Sequence, residues 1–228
     1  MNQAFPAALR LFLLLSGGAL VVTLLPPLFG VIVSPSAADA GAAPGVPIMW
    51  WAARAMGLLA LVALWLSVLF GIFIAGKGAG GLLPKPSVAL LHNRWALAAQ
   101  VATALHVLLV IADPVSGVTP LAAVLPLTSA TLTGPIALGT FALWGLAVLL
   151  ITTALTRKLS KVAWRAVHAS AFGSFLLATV HGATAGTDTT APAVRILYAL
   201  TSGLIIAAII QRLLLARAAS RTSPQGTS

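Results

Sequence analysis

The chain has 228 residues, of which 60% are hydrophobic and 7% charged, with a formal net charge of +10, and its mean hydropathy is +1.06. That leaves too little polar surface for a water-soluble domain and describes an integral membrane protein. Cysteine is absent, which excludes disulfides, thiolate metal sites and cysteine-ligated iron–sulfur clusters.

A hydrocarbon core takes about 20 residues of helix to cross, and six apolar segments are long enough, near 8–31, 49–75, 87–112, 137–157, 162–184 and 193–216. The first follows MNQAFPAALR, whose single positive charge resembles the start of a signal peptide. Its apolar run continues past Pro26-Pro27 to Val33, however, and is expected to span. SPSAADAGAAPGVP joins the first and second segments and GKGAGGLLPKP the second and third, with glycines and prolines that end one helix and start the next. The link from Asp113 to Pro135 is long and weakly polar, so it is expected at the interface or folded over the protein. TRKLSKVAWR makes a tight basic corner between the fourth and fifth segments, and TAGTDTTAP joins the fifth to the sixth. Residues 1–216 therefore read as one all-α, six-helix membrane bundle, and 217–228 as a loose polar tail.

The basic residues set the orientation. With a cytoplasmic N-terminus, Arg10, Lys77, Lys85, Arg94, Arg157, Lys158, Lys161, Arg165, Arg212, Arg217 and Arg221 fall on the cytoplasmic face, and Arg54 and Arg195 on the other. The three acids, Asp39, Asp113 and Asp188, fall in the outer connections. Both termini are expected in the cytoplasm. The positive charge is then topological and does not mark a nucleic-acid-binding surface. Abundant Ala and Leu with few Lys fit a bacterial inner membrane.

All four histidines lie in two of these segments, His92 and His106 in the third, His168 and His181 in the fifth. Their separations of 14 and 13 residues span roughly 21 and 19.5 Å of helix. In this topology both segments run outwards, so His92 pairs with His168 near the cytoplasmic face and His106 with His181 near the outer face. Matched pairs at two depths point to bis-histidine ligation of two stacked haems. Zinc would call for further ligands at the same depth, and a proton relay for buried carboxylates; packing contacts would leave the matched spacing without a cause. Fourteen residues return a helix to within about 40° of one face, whereas thirteen leave it roughly 140° away. The fifth segment thus needs a tilt or tightened turn, expected at Gly173-Ser174.

Around the histidines, Arg94, Lys161 and Arg165 at the cytoplasmic end and Arg54 on the outer side are candidate partners for haem propionates. Phe172 and Phe175 lie midway between His168 and His181, where they could fill the gap between macrocycles or serve as packing. Trp50, Trp51, Trp95 and Trp164 read as interfacial anchors, and Gly57, Gly71 and Gly173 as places where a flat cofactor or a neighbouring helix comes close.

The histidine spacings, LHNRWALAAQ in the third segment, and LSKVAWRAVHAS followed by VHGATAGTDT in the fifth together resemble the ferric reductase-like transmembrane domain shared by NADPH oxidases, ferric reductases and smaller bacterial cytochromes b. The resemblance covers roughly residues 48 to 215. It implies haem b on His92 and His168 at the inner site and on His106 and His181 at the outer site, with Arg54 near the outer haem. It also implies electron flow outwards, from a cytoplasmic flavoprotein or quinol to an outer acceptor. About a dozen residues follow the sixth segment, without a phosphate-cradling glycine motif. The chain is therefore expected to be an electron carrier without its own flavin or NAD(P)H domain, like the stand-alone members that use separate redox partners. An accessory haem-containing subunit of a larger redox complex and a histidine-based metal or proton transporter are the alternatives.

Overall fold

The computed structural model describes residues 48–75 and 84–221. The expected first helix at 8–31 lies outside the described residues, as do 222–228 of the expected tail; residues 217–221, expected to be loose, instead continue the last helix. The described chain is all-helical: α1 Ile48–Ala75, α2 Lys85–Ala112, a short α3 Pro120–Val124, α4 Thr133–Ala154, α5 Lys161–His168, α6 Ala171–Ala185 and α7 Pro192–Arg221. Single 3-10 turns, Thr156–Lys158 and Thr187–Thr190, precede α5 and α7.

Four of these helices are long and apolar enough to cross a membrane: α1, α2, α4 and the Pro192–Gln211 part of α7. Their side chains sort as lipid requires. Leu97, Val101, Leu105 and Leu108 make an exposed stripe at helical spacing along α2, and Ile196, Leu200, Ile206 and Ile210 are exposed on α7. Apolar rows of this kind would be unfavourable in water and are at home in hydrocarbon. The protein is a membrane protein. Its interior is built around α1, where Ala63 and Trp65 are fully buried and Leu61, Leu64, Leu69, Ile72 and Phe73 pack with Val88, Leu146, Phe175 and Leu197 from the other helices.

Two antiparallel hairpins form the frame, α1 with α2 and α4 with α6. They are tied across the middle by Gln100 of α2, whose Nε2 donates to the Leu146 carbonyl of α4 at 2.8 Å. The connection from Asp113 folds over one end, as its weak polarity predicts. Ala122 and Ala123 of α3 are buried, Thr140 Oγ1 donates to Ala122 O at 3.2 Å and Trp144 Nε1 to Val124 O at 2.9 Å.

The expected fifth helix, 162–184, is instead two helices. The tightened turn falls at Ala169-Ser170, directly after His168, and not at Gly173-Ser174, which lie inside α6. At the junction Ser170 N donates to Val167 O at 2.9 Å and Phe172 N to Ala169 O at 3.3 Å, the three-residue reach of a 3-10 turn. Steps of about 120° instead of 100° over two or three residues recover roughly 40–60° of the 140° offset between His168 and His181.

Candidate functional site

The two hairpins bring the four histidines together as two facing pairs. His92 and His168 have ring centres 5.9 Å apart with planes at 69°, and His106 and His181 have centres 6.3 Å apart at 71°. Since α1 and α2 run antiparallel, His92 meets Ser67 while His106 meets Ala53.

Three of the rings are held by the same device. His106 Nδ1 lies 2.8 Å from Ala53 O, His92 Nδ1 2.8 Å from Ser67 O, and His181 Nδ1 2.8 Å from Pro135 O. A carbonyl only accepts, so each Nδ1 carries the proton and each Nε2 keeps its lone pair. Four residues after each acceptor stands a glycine, Gly57, Gly71 or Gly139. An added Cβ would stand 3.0 Å from His106 Nδ1 at Gly57, 3.4 Å from His92 Nδ1 at Gly71 and 2.7 Å from His181 Nδ1 at Gly139. The missing side chain is what allows the imidazole to lie against the neighbouring helix and reach a carbonyl one turn back. Such partners fix the tautomer and raise the basicity of a metal-ligating histidine.

His168 is held differently. It ends α5, a helix in which no residue is buried, and its buried Nδ1 has no hydrogen-bond partner among the described residues. The ring stacks on Trp164, with centres 4.6 Å apart and planes at 17°. Trp164 therefore packs on a site residue and is more than an interfacial anchor.

At the other end, Arg54 and Asp188 form a buried ion pair, with Arg54 Nε 2.8 Å from Asp188 Oδ2 and Arg54 Nη2 on Oδ1. The pair reaches across 134 residues and supplies the partner that a cation in an apolar helix demands. Arg54 and Asp188 line a cavity of about 240 Å³ open to the centre of a water molecule, together with His106, His181, Gly57 and Gly139. The rest of its wall is largely apolar, from residues such as Leu61, Leu64 and Leu143.

The other expected site residues divide. Phe175 is buried at 4% exposure in the central cluster, whereas Phe172 is 38% exposed. Arg94 and Arg165 are exposed near the His92–His168 pair. Gly173 has nothing within 4 Å of an added Cβ, so it makes no close approach. Sequence reasoning missed Asp188, Pro135 and Gly139. One signal was available: Gly57 and Gly71 are 14 residues apart, the spacing of His92 and His106.

Among the described residues no three His, Cys, Asp or Glu side chains gather to hold a metal ion. Each group of facing rings is a pair of imidazoles. Fold and site define a membrane-embedded helical bundle with two facing histidine pairs stacked along its length. Residues 48–188 match the model of a family described as a domain of unknown function, DUF8596, and the chain belongs to that family. No curated protein and no solved structure matches the chain.

Proposed function

We propose that this protein carries electrons across the membrane through two haem b groups, one between His92 and His168 and one between His106 and His181. The observation that carries the reading is the opposition of imidazoles at two depths. Metal–imidazole bonds of about 2.0–2.1 Å on both sides, with about 1.1 Å from nitrogen to ring centre, put two ring centres about 6.3 Å apart. The separations of 5.9 and 6.3 Å fit that requirement. Three of the rings also turn their N–H groups onto carbonyls, which leaves Nε2 as the donor atom. The apolar cavity beside His106 and His181 suits the body of a macrocycle.

Haem held by these histidines would supply one-electron transfer. The residues of this chain supply the rest. Ala53, Ser67 and Pro135 orient the rings, the glycines let them approach, and α2 sets the depths roughly 21 Å apart. Buried apolar side chains between the depths keep water out.

Lys85, Arg94, Arg157, Lys158, Lys161 and Arg165 gather at the His92–His168 end, which supports that end as the cytoplasmic one. A separate flavoprotein or quinol would then donate there, and an acceptor outside, ferric chelate, oxygen or a protein, would take electrons beside His106 and His181. Arg94 and Arg165 are placed to pair with propionates at the inner site; at the outer site the Arg54 guanidinium is shared with Asp188. The likeness to the ferric reductase-like transmembrane domain points the same way, in a bacterial inner membrane with both termini in the cytoplasm.

The test uses the purified protein in lipid vesicles holding ferricyanide, with dithionite added outside. Each dithionite-derived electron that crosses reduces one ferricyanide to ferrocyanide. The wild type is expected to bleach the trapped ferricyanide, and His92→Ala and His106→Ala to match protein-free vesicles. Bleaching unchanged in both variants would sink the proposal.

A further inference from the structure

The two sites are not equivalent, and the difference lies in one ligand. His92, His106 and His181 each sit within a long helix, donate Nδ1–H to a carbonyl and lie against a glycine. His168 has none of these supports. Its Nδ1 has no hydrogen-bond partner among the described residues, and it closes a helix of 8 residues in which no residue is fully buried. The next residues, Ala169-Ser170, form the 3-10 junction.

An imidazole without an acceptor at Nδ1 is a less basic ligand, and a short helix whose residues are at most half-buried opens at lower cost than the bundle core. We propose that His168 is a displaceable ligand, so that the His92–His168 site, unlike the His106–His181 site, admits a small neutral ligand of ferrous haem such as a diatomic gas. This rests on the haem reading above. In the exchange the bond between His168 Nε2 and iron breaks, one from the incoming ligand forms, and the iron stays ferrous. The chain would then combine an electron-transfer site at one depth with a ligand-binding site at the other.

Carbon monoxide is the probe, added to dithionite-reduced full-length protein whose haem content has been counted. Wild type with two haems is expected to bind one equivalent. His168→Ala is expected to bind one equivalent at the same haem, faster because no ligand has to leave; if the variant loses that haem, the remaining one is expected to bind none. Trp164→Leu, which removes the stacking partner, should raise the rate without adding an equivalent. Two haems and no carbon monoxide binding in the wild type would overturn the inference while leaving the haem reading intact. So would two equivalents in His168→Ala, or binding by the one haem that it retains. A chain purified without haem would instead overturn the reading beneath it.

Discussion

Replacing Gly139 by alanine would place a methyl carbon 2.7 Å from His181 Nδ1 and 2.8 Å from its Cε1. To regain an ordinary contact of 3.4 Å the ring must retreat by about 0.7 Å, beyond the tolerance of roughly 0.5 Å within which a ligand constellation works. The retreat also stretches the 2.8 Å contact to Pro135 O towards 3.5 Å, at the limit of a hydrogen bond. Losing that bond costs about 0.5–1.5 kcal/mol and overpacking about 1–3 kcal/mol. The helix-propensity gain of alanine over glycine, about 1 kcal/mol, does not offset them. The same change is milder at Gly57, where the nearest approach is 3.0 Å, and milder again at Gly71, at 3.3 Å. Haem per chain, counted by pyridine haemochrome, is therefore expected to fall from two towards one in Gly139→Ala, partly in Gly57→Ala and least in Gly71→Ala. Gly173→Ala, which meets nothing within 4 Å, serves as the control and keeps both. Full haem content with an unaltered α band in Gly139→Ala, or a larger loss in Gly71→Ala, would refute the glycine–carbonyl account.

Breaking the buried Arg54–Asp188 pair from one side leaves an uncompensated charge, at a cost of about 3–5 kcal/mol. Arg54→Met and Asp188→Leu should each lower the thermal midpoint in detergent, and the double variant should recover most of the loss; a double variant as unstable as the sum of the singles contradicts this. Ser67 offers His92 both its carbonyl, at 2.8 Å, and its hydroxyl, at 3.3 Å. Because the carbonyl survives substitution, Ser67→Ala is expected to keep both haems and an unchanged spectrum, and loss of the inner haem would show that the hydroxyl holds the ring.

What the sequence made legible depended on how sharply each residue's chemistry limits where it can stand. Histidine is rare in hydrocarbon, so four at matched spacings were conspicuous, and the pairing drawn from topology is the one the hairpins produce. The spans of α1, α2, α4 and α7 followed from apolar length, within a few residues of 49–75, 87–112, 137–157 and 193–216. The break after His168 carries no proline or glycine at Ala169-Ser170, and the glycine that drew attention, Gly173, stands inside a regular helix. Asp188 was legible only as a loop acid, because its partner lies 134 residues away. Gly139 was hidden because no glycine follows it at the 14-residue spacing that separates Gly57 and Gly71, the position being Thr153.

The most direct test of the central claim is a haem count on detergent-purified protein, by reduced-minus-oxidised spectrum and pyridine haemochrome, in the wild type and the four single histidine-to-alanine variants. The account expects two haems b per chain with a sharp low-spin α band, a change confined to one haem in His92→Ala and His168→Ala, and a change confined to the other in His106→Ala and His181→Ala. Protein from haem-replete cells with no haem band, or a haem that responds to one histidine of each pair, would contradict it.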